Sequence, residues 1–162
     1  MRSFKRHVPV FRNTTDTLAI APIERNLTPL GAFRMREDIL GNLTRNYILL
    51  GLVWLVAGMI FGAWLGATNH MNYANSHAHM NLLGFVVSVL FGLIHWATPN
   101  LSKSRLANPQ FLIYEIGAVT LVFGKIMVDA NGAENPALIV GSVITIIGAA
   151  LMLVMFAKHA AS

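Results

Sequence analysis

The sequence contains no cysteine. This absence excludes disulfide bonds, thiolate metal sites, iron–sulfur clusters and the covalent attachment of a c-type haem. Charge is also scarce, because only 12% of the 162 residues are Asp, Glu, Lys or Arg, whereas 55% are hydrophobic. A soluble globule of this size needs more charge to cover its surface, so the composition predicts an integral membrane protein. Any metal must be held by His, Met or oxygen ligands.

Acidic residues are fewer than basic ones, seven against twelve, which gives a net charge of +5. The basic residues flank apolar runs and form no patch interleaved with aromatics, so nucleic acid is not an expected partner. Eight of them lie in residues 1–46, which lack the apolar run of a membrane span or signal peptide. We interpret 1–46 as a basic cytoplasmic segment that docks on a partner. Its composition fits a disordered tail equally well.

Four apolar runs follow this segment and predict an all-α membrane domain over residues 47–157. A helix of about 20 residues, rising about 1.5 Å per residue, matches a hydrocarbon core about 30 Å thick. Eleven of the twelve Lys and Arg residues lie in the N-terminal segment, the loop before the third span, and the C-terminus. The positive-inside rule therefore predicts that both termini are cytoplasmic. The predicted transmembrane helices cover about residues 47–66, 78–98, 111–128 and 137–156.

Small residues recur at helical spacing in two of these spans. Gly58, Gly62 and Gly66 repeat every four residues in the first span, which predicts a flat face for helix packing or for a flat ligand. In the fourth span, the corresponding packing face consists of Gly141, Thr145 and Gly148.

Histidines and methionines cluster at the predicted outer end of the second span. In hydrocarbon a polar group without a partner costs several kcal/mol, so such histidines hydrogen-bond, line a cavity or bind a metal. His95 lies on the same span, but about 24 Å from His79 and rotated by about 160°, so the two cannot serve one site. The pattern fits a metal or haem site and also fits ordinary interfacial histidines. The cluster comprises His70, Met71, His77, His79 and Met80.

The run from His79 to Pro99 carries a resemblance to a known family. It opens with His-Met-Asn-Leu-Leu-Gly-Phe and closes with Phe-Gly-Leu-Ile-His-Trp-Ala-Thr-Pro. It resembles the second transmembrane helix of the catalytic subunit of haem-copper oxidases, especially the nitric oxide reductase and C-type branches. It is also similar to small bacterial membrane proteins described as oxidase subunit I-like. The resemblance implies a bacterial inner-membrane protein that binds haem b through His79 and transfers electrons in a respiratory or photosynthetic membrane.

The chain also departs from that family. Helices that carry the family's second low-spin ligand and its catalytic metal have no counterpart here, so no complete catalytic centre is expected. The second axial ligand would come from His70, His77, Met71 or another chain, which predicts a homo-oligomer or a larger complex. Lys125, on the His79 side, would meet a haem propionate. Alternatively, Lys125 pairs with Asp129 four residues later.

Two other functions remain open at this point. In the first, the chain has kept the oxidase-like fold but no longer binds haem. The protein would then be a haem-free structural or assembly subunit of a larger membrane complex. It would be a copper or zinc protein if His77 and His79 bound the metal, together with His70 and Met80, at the outer face.

Overall fold

The structure is a computed structural model that describes the backbone of residues 27–160 and the side chains of residues 43–158. Residues 1–26, the larger part of the expected docking segment, lie outside the described residues. Within the described range every regular element is helical, and four helices are long and apolar enough to span a membrane. This confirms the predicted all-α membrane fold. The candidate spans are Leu43–Thr68, Met71–Ala97, Ala107–Asn131 and Pro136–Lys158.

The first helix, α1 (Leu27–Thr68), is longer than predicted. A boundary near residue 46 was expected, but the helix passes through it without interruption. After Pro29, which the first turn of a helix tolerates, the chain has no proline before Pro99, so nothing in the backbone ends the helix there. It ends before Asn69, whose φ of 57° is left-handed, a conformation in which Asn is enriched.

The second span, α2 (Met71–Ala97), is irregular. It opens with a 3₁₀ turn, continues as α-helix over Ala74–His79, becomes π-helical over Met80–Val87, and is α-helical again over Ser88–Ala97. In the π-helical part the carbonyl of Leu83 accepts a hydrogen bond from the Tyr114 hydroxyl at 2.9 Å. A π-helical turn in a membrane span is rare and occurs frequently at functional sites.

Proline and glycine mark the ends of the remaining helices. Pro99 ends α2 and opens the short helix α3 (Pro99–Ser102), because its ring removes a backbone donor. The next helix, α4 (Ala107–Asn131), ends at Gly132, which takes a left-handed φ of 67°. The last helix, α5 (Pro136–Ala160), begins with a proline, which suits the first helical position.

Helices α4 and α5 pack backbone to backbone through their glycines. A Cβ on Gly117 would lie 2.6 Å from the backbone nitrogen of Thr145, and one on Gly148 would lie 2.7 Å from the Cα of Tyr114. Gly141 meets the backbone of Leu121 in the same way. The predicted packing face of α5 is therefore real, but this chain covers it itself. It is therefore not a free surface for a second copy of the chain.

The glycine stripe of α1 is also covered from within the chain. A Cβ on Gly58 would lie 2.5 Å from the Asn81 side chain, and one on Gly62 would lie 2.6 Å from Cε1 of His77. These two side chains of α2 leave no room for a flat ligand, so the helix-packing alternative is the one observed. Gly66 faces open space.

The hydrophobic core lies toward the end of the bundle that carries His95 and α3. Its buried members come from the start of the first membrane span, from α3, from the first half of α4 and from the last part of α5. The opposite end, which carries His79, is joined by aromatic contacts between α1 and α2 and by hydrogen bonds between α2 and α4. The core residues are Leu43, Tyr47, Leu101, Ala107, Tyr114, Ala118, Met152 and Met155.

Candidate functional site

His79 has the hydrogen bonding expected of a ligand. Its Nδ1 lies 2.7 Å from the backbone oxygen of Asn75. A carbonyl oxygen can only accept, so Nδ1 carries the proton and Nε2 keeps its lone pair in the neutral ring. A bond from one ring nitrogen to a carbonyl is the common arrangement behind a histidine that binds metal through the other. Nε2 is therefore the ring nitrogen of His79 that has a lone pair available.

The side of α2 that carries His79 faces away from the bundle. His79 is half-buried, and the residues one and two turns further on, Leu82 and Val86, are 57% and 37% exposed. At membrane depth this apolar side can contact lipid, a flat apolar ligand or a neighbouring chain. A ligand on Nε2 would therefore lie at the outside of the protomer.

His77 has a different environment. Its ring packs against Gly62 of α1, and the Asn81 amide donates to its backbone oxygen at 2.9 Å. The same amide nitrogen lies 3.3 Å from each ring nitrogen. His77 thus fills the space between α1 and α2, whereas His79 lies on the exposed side. The structure does not bring these two predicted ligands together.

His70 belongs to an aromatic cluster on α1 and the following turn. Its ring stacks on Trp64 with centroids 4.9 Å apart, and its Nδ1 lies 2.8 Å from the Thr68 hydroxyl. The ring of His77 reaches the same cluster through Phe61, at 6.4 Å. The aromatic cluster consists of Phe61, Trp64 and Tyr73, with His70 and His77 at its edges.

This placement bears on the copper or zinc hypothesis. Among the residues whose side chains are described, no three His, Asp or Glu side chains are grouped as a metal site would need. The histidines proposed for it, His70, His77 and His79, divide between the aromatic cluster and the exposed side of α2. The geometry therefore gives this hypothesis no support.

Lys125 forms an ion pair with Asp129, one helical turn later in α4. Of the two roles considered for this lysine, the structure contains the ion pair, and the lysine side chain is only 15% exposed. The Asp129 carboxylate also accepts from the hydroxyl and the backbone N–H of Ser76, at 2.6 and 3.1 Å. Asn72 donates to the Asp129 backbone oxygen at 3.0 Å. These bonds tie α4 to the turn that precedes His77 and His79.

We expect the substitution Asp129→Ala to destabilise the protein by about 1–3 kcal/mol, because it leaves Lys125 and the Ser76 donors without their acceptor. A lower midpoint of thermal unfolding in detergent would show this. Glu134→Ala is the matched control, since Glu134 is exposed beyond the end of α4. Equal midpoints for the two variants would contradict the role given to Asp129.

A second group of polar side chains lies inside the bundle. The Tyr47 hydroxyl donates to Oε1 of Gln110 at 2.6 Å, and the Gln110 amide donates to the Gly148 carbonyl at 3.1 Å. His95 is fully buried, stacks on Tyr47 at 5.8 Å and has its Nδ1 2.9 Å from the Ser102 hydroxyl. The sequence predicted that His95 and His79 do not share a site, but it did not predict that His95 contacts Tyr47 and Ser102.

Comparisons of the chain with protein families, with curated proteins and with solved structures found no match.

Proposed function

We propose that the protein is a small b-type membrane cytochrome or haem-bearing accessory subunit that transfers electrons in a respiratory or photosynthetic membrane. The observation that carries the proposal is the hydrogen bond from Nδ1 of His79 to the Asn75 carbonyl, which leaves Nε2 as the ligating atom. The resemblance of the helix from His79 to Pro99 supports the same assignment. Bound haem would supply the one-electron chemistry.

The residues around His79 fit a haem held at the side of the protomer. The Asn75 carbonyl fixes the tautomer and the plane of the imidazole ring. Leu82 and Val86 offer exposed apolar surface to the porphyrin. By the positive-inside rule, this end of the bundle would lie at the outer face of the membrane and both termini in the cytoplasm; the bacterial inner membrane is what the resemblance implies.

A haem held by His79 would need a second protein residue to hold it, and this arrangement favours one from another chain. His70 and His77 are engaged in the aromatic cluster and against Gly62, on the α1 side of α2. A ligand on the exposed side of His79 would be reached by a second copy or by another subunit of a larger complex. Because His79 lies on the exposed apolar side of α2, the contact with the second chain would involve that side.

The test is a reduced-minus-oxidised absorption spectrum of protein purified in a mild detergent, combined with native mass spectrometry. We expect the bands of a six-coordinate b-type haem, and haem only in species that contain two or more chains of this or another protein. A monomer that carries six-coordinate haem would contradict the shared ligand. Protein that never acquires a haem band under haem-sufficient expression would contradict the haem proposal itself.

One observation favours the second candidate, a haem-free structural or assembly subunit. Both histidines that might complete the coordination, His70 and His77, contribute to packing within the chain. On this alternative, purification from native membranes yields a larger complex in which the chain is present without haem. The same spectrum and mass measurement therefore distinguish the two candidates.

A further inference from the structure

A carboxyl group is buried inside the bundle at Glu115. This residue lies on α4, eight residues after Ala107, which is about 12 Å along the helix, and it is 6% exposed. Its Oε1 accepts a hydrogen bond from the Ser88 hydroxyl of α2 at 2.7 Å. Its Oε2 is buried without a hydrogen-bond partner. The Trp54 indole of α1 approaches the carboxyl without completing a hydrogen bond.

No cation accompanies this carboxyl in the described part of the chain, where the one ion pair joins Lys125 and Asp129. The ionisable groups near it are the hydroxyls of Tyr47 on α1 and Tyr114 on its own helix. From α2 it meets the Ser88 hydroxyl, and α5 has no ionisable side chain between residues 136 and 157. Burying an unpaired carboxylate in such surroundings costs a large free energy. The carboxyl must therefore be protonated whenever no water enters the bundle.

Three buried side-chain atoms in the described residues have no hydrogen-bond partner. They are Nε1 of Trp54, Nε2 of His95 and Oε2 of Glu115. Ser88 and His95 are seven residues apart on α2 and lie on one face, and both are fully buried. Buried polar atoms of this kind are usually satisfied by ordered water, provided that the space is polar.

A second set of polar contacts lies toward the end of the bundle that carries His95, and in the described residues no hydrogen bond joins it to Glu115 or Ser88. Tyr47 stacks on His95 and donates to Gln110, and His95 in turn contacts Ser102 of α3. Ser102 is 8% exposed, and the exposed Lys103 follows it.

We propose that Glu115 is a reversible proton-binding site inside the membrane domain, which exchanges protons with water. On uptake, a proton from water bonds to Oε2 and the carboxylate becomes a neutral acid. On release, the O–H bond breaks and the proton returns to the same aqueous phase. Ser88 donates to Oε1 in both states. The site does not depend on whether haem is bound.

Infrared difference spectroscopy of the reconstituted protein tests this proposal. We expect the carbonyl stretch of a protonated carboxylic acid to lose intensity reversibly as the pH is raised, and to shift after transfer to D₂O. Glu115→Gln should abolish the band, and Asp129→Asn, at the other carboxyl of α4, should leave it. Ser88→Ala should move the band to higher frequency, because it removes the hydrogen bond to Oε1.

Two results would overturn the proposal: a band whose intensity is the same throughout the pH range of stability, and a titrating band that persists in Glu115→Gln. Because that variant could fail to fold, the unmodified protein supplies a second measurement. A hydrophobic carbodiimide reacts with protonated carboxyl groups in apolar surroundings, and peptide mass mapping locates the adduct. We expect an adduct on Glu115 whose yield falls as the pH rises, and a yield independent of pH would contradict reversible protonation.

Discussion

Replacing His79 by alanine should abolish haem retention, whereas replacing His77 should leave most of the haem bound. The reason is that His79 has Nε2 free of protein partners on the exposed side of α2, while the His77 ring is packed against Gly62. Groups that only orient a metal-binding histidine already change metal affinity by about 10–100-fold, so loss of the ligand itself should exceed that range. Haem per chain, from the reduced-minus-oxidised spectrum, is the measurement.

His95→Ala is the control for this experiment. His95 is buried at the other end of α2, about 24 Å away along the helix, and its stack on Tyr47 stabilises the core at that end. Its replacement should lower thermal stability with a much smaller effect on haem content. Equal loss of the haem band in the His79 and His95 variants would indicate two haems or a different site.

The substitution Gly141→Ala should destabilise the bundle strongly, although it adds a single methyl group. That methyl would be forced against the backbone nitrogen and Cα of Leu121 on α4, atoms that move only if the two helices separate. Overpacking of a close-packed interior costs about 1–3 kcal/mol, and contact with backbone instead of a flexible side chain puts this site at or above the upper value. The midpoint of thermal unfolding in detergent measures the effect.

Gly66→Ala is the matched control, because a Cβ there meets no atom within 4 Å. Alanine also has the better helix propensity by about 1 kcal/mol, so this variant should be as stable as the parent or slightly more so. If Gly141→Ala unfolded at the same temperature as Gly66→Ala, this result would contradict the close backbone contact between α4 and α5. A large loss of stability in Gly66→Ala would instead indicate a neighbour that covers this glycine.

The sequence alone determined the class of the fold and the number of spans. A bilayer requires each segment to satisfy its own backbone and to be apolar for about 20 residues, and both properties are local. The pair of Lys125 and Asp129 was predictable for the same reason, since their four-residue spacing places them on one helical face. The start of α1 was less predictable. The apolar run that marks the membrane span begins near residue 47, but the helix extends back through polar residues to Leu27.

Only the tertiary structure decided which surface covers which. A helical repeat shows that Gly58 and Gly62 share a face, but not that Asn81 and His77 fill it. The bond between Tyr47 and Gln110 joins residues 63 positions apart, and the bond between Ser88 and Glu115 joins residues 27 apart. In a membrane the lipid is as apolar as the protein core, so hydrophobic periodicity marks the buried side of a helix only weakly. The two-residue spacing of His77 and His79 already places them on different sides of α2. Which of them packs against α1, and the burial of Glu115 beside Ser88, follow from how the helices pack, which no single segment encodes.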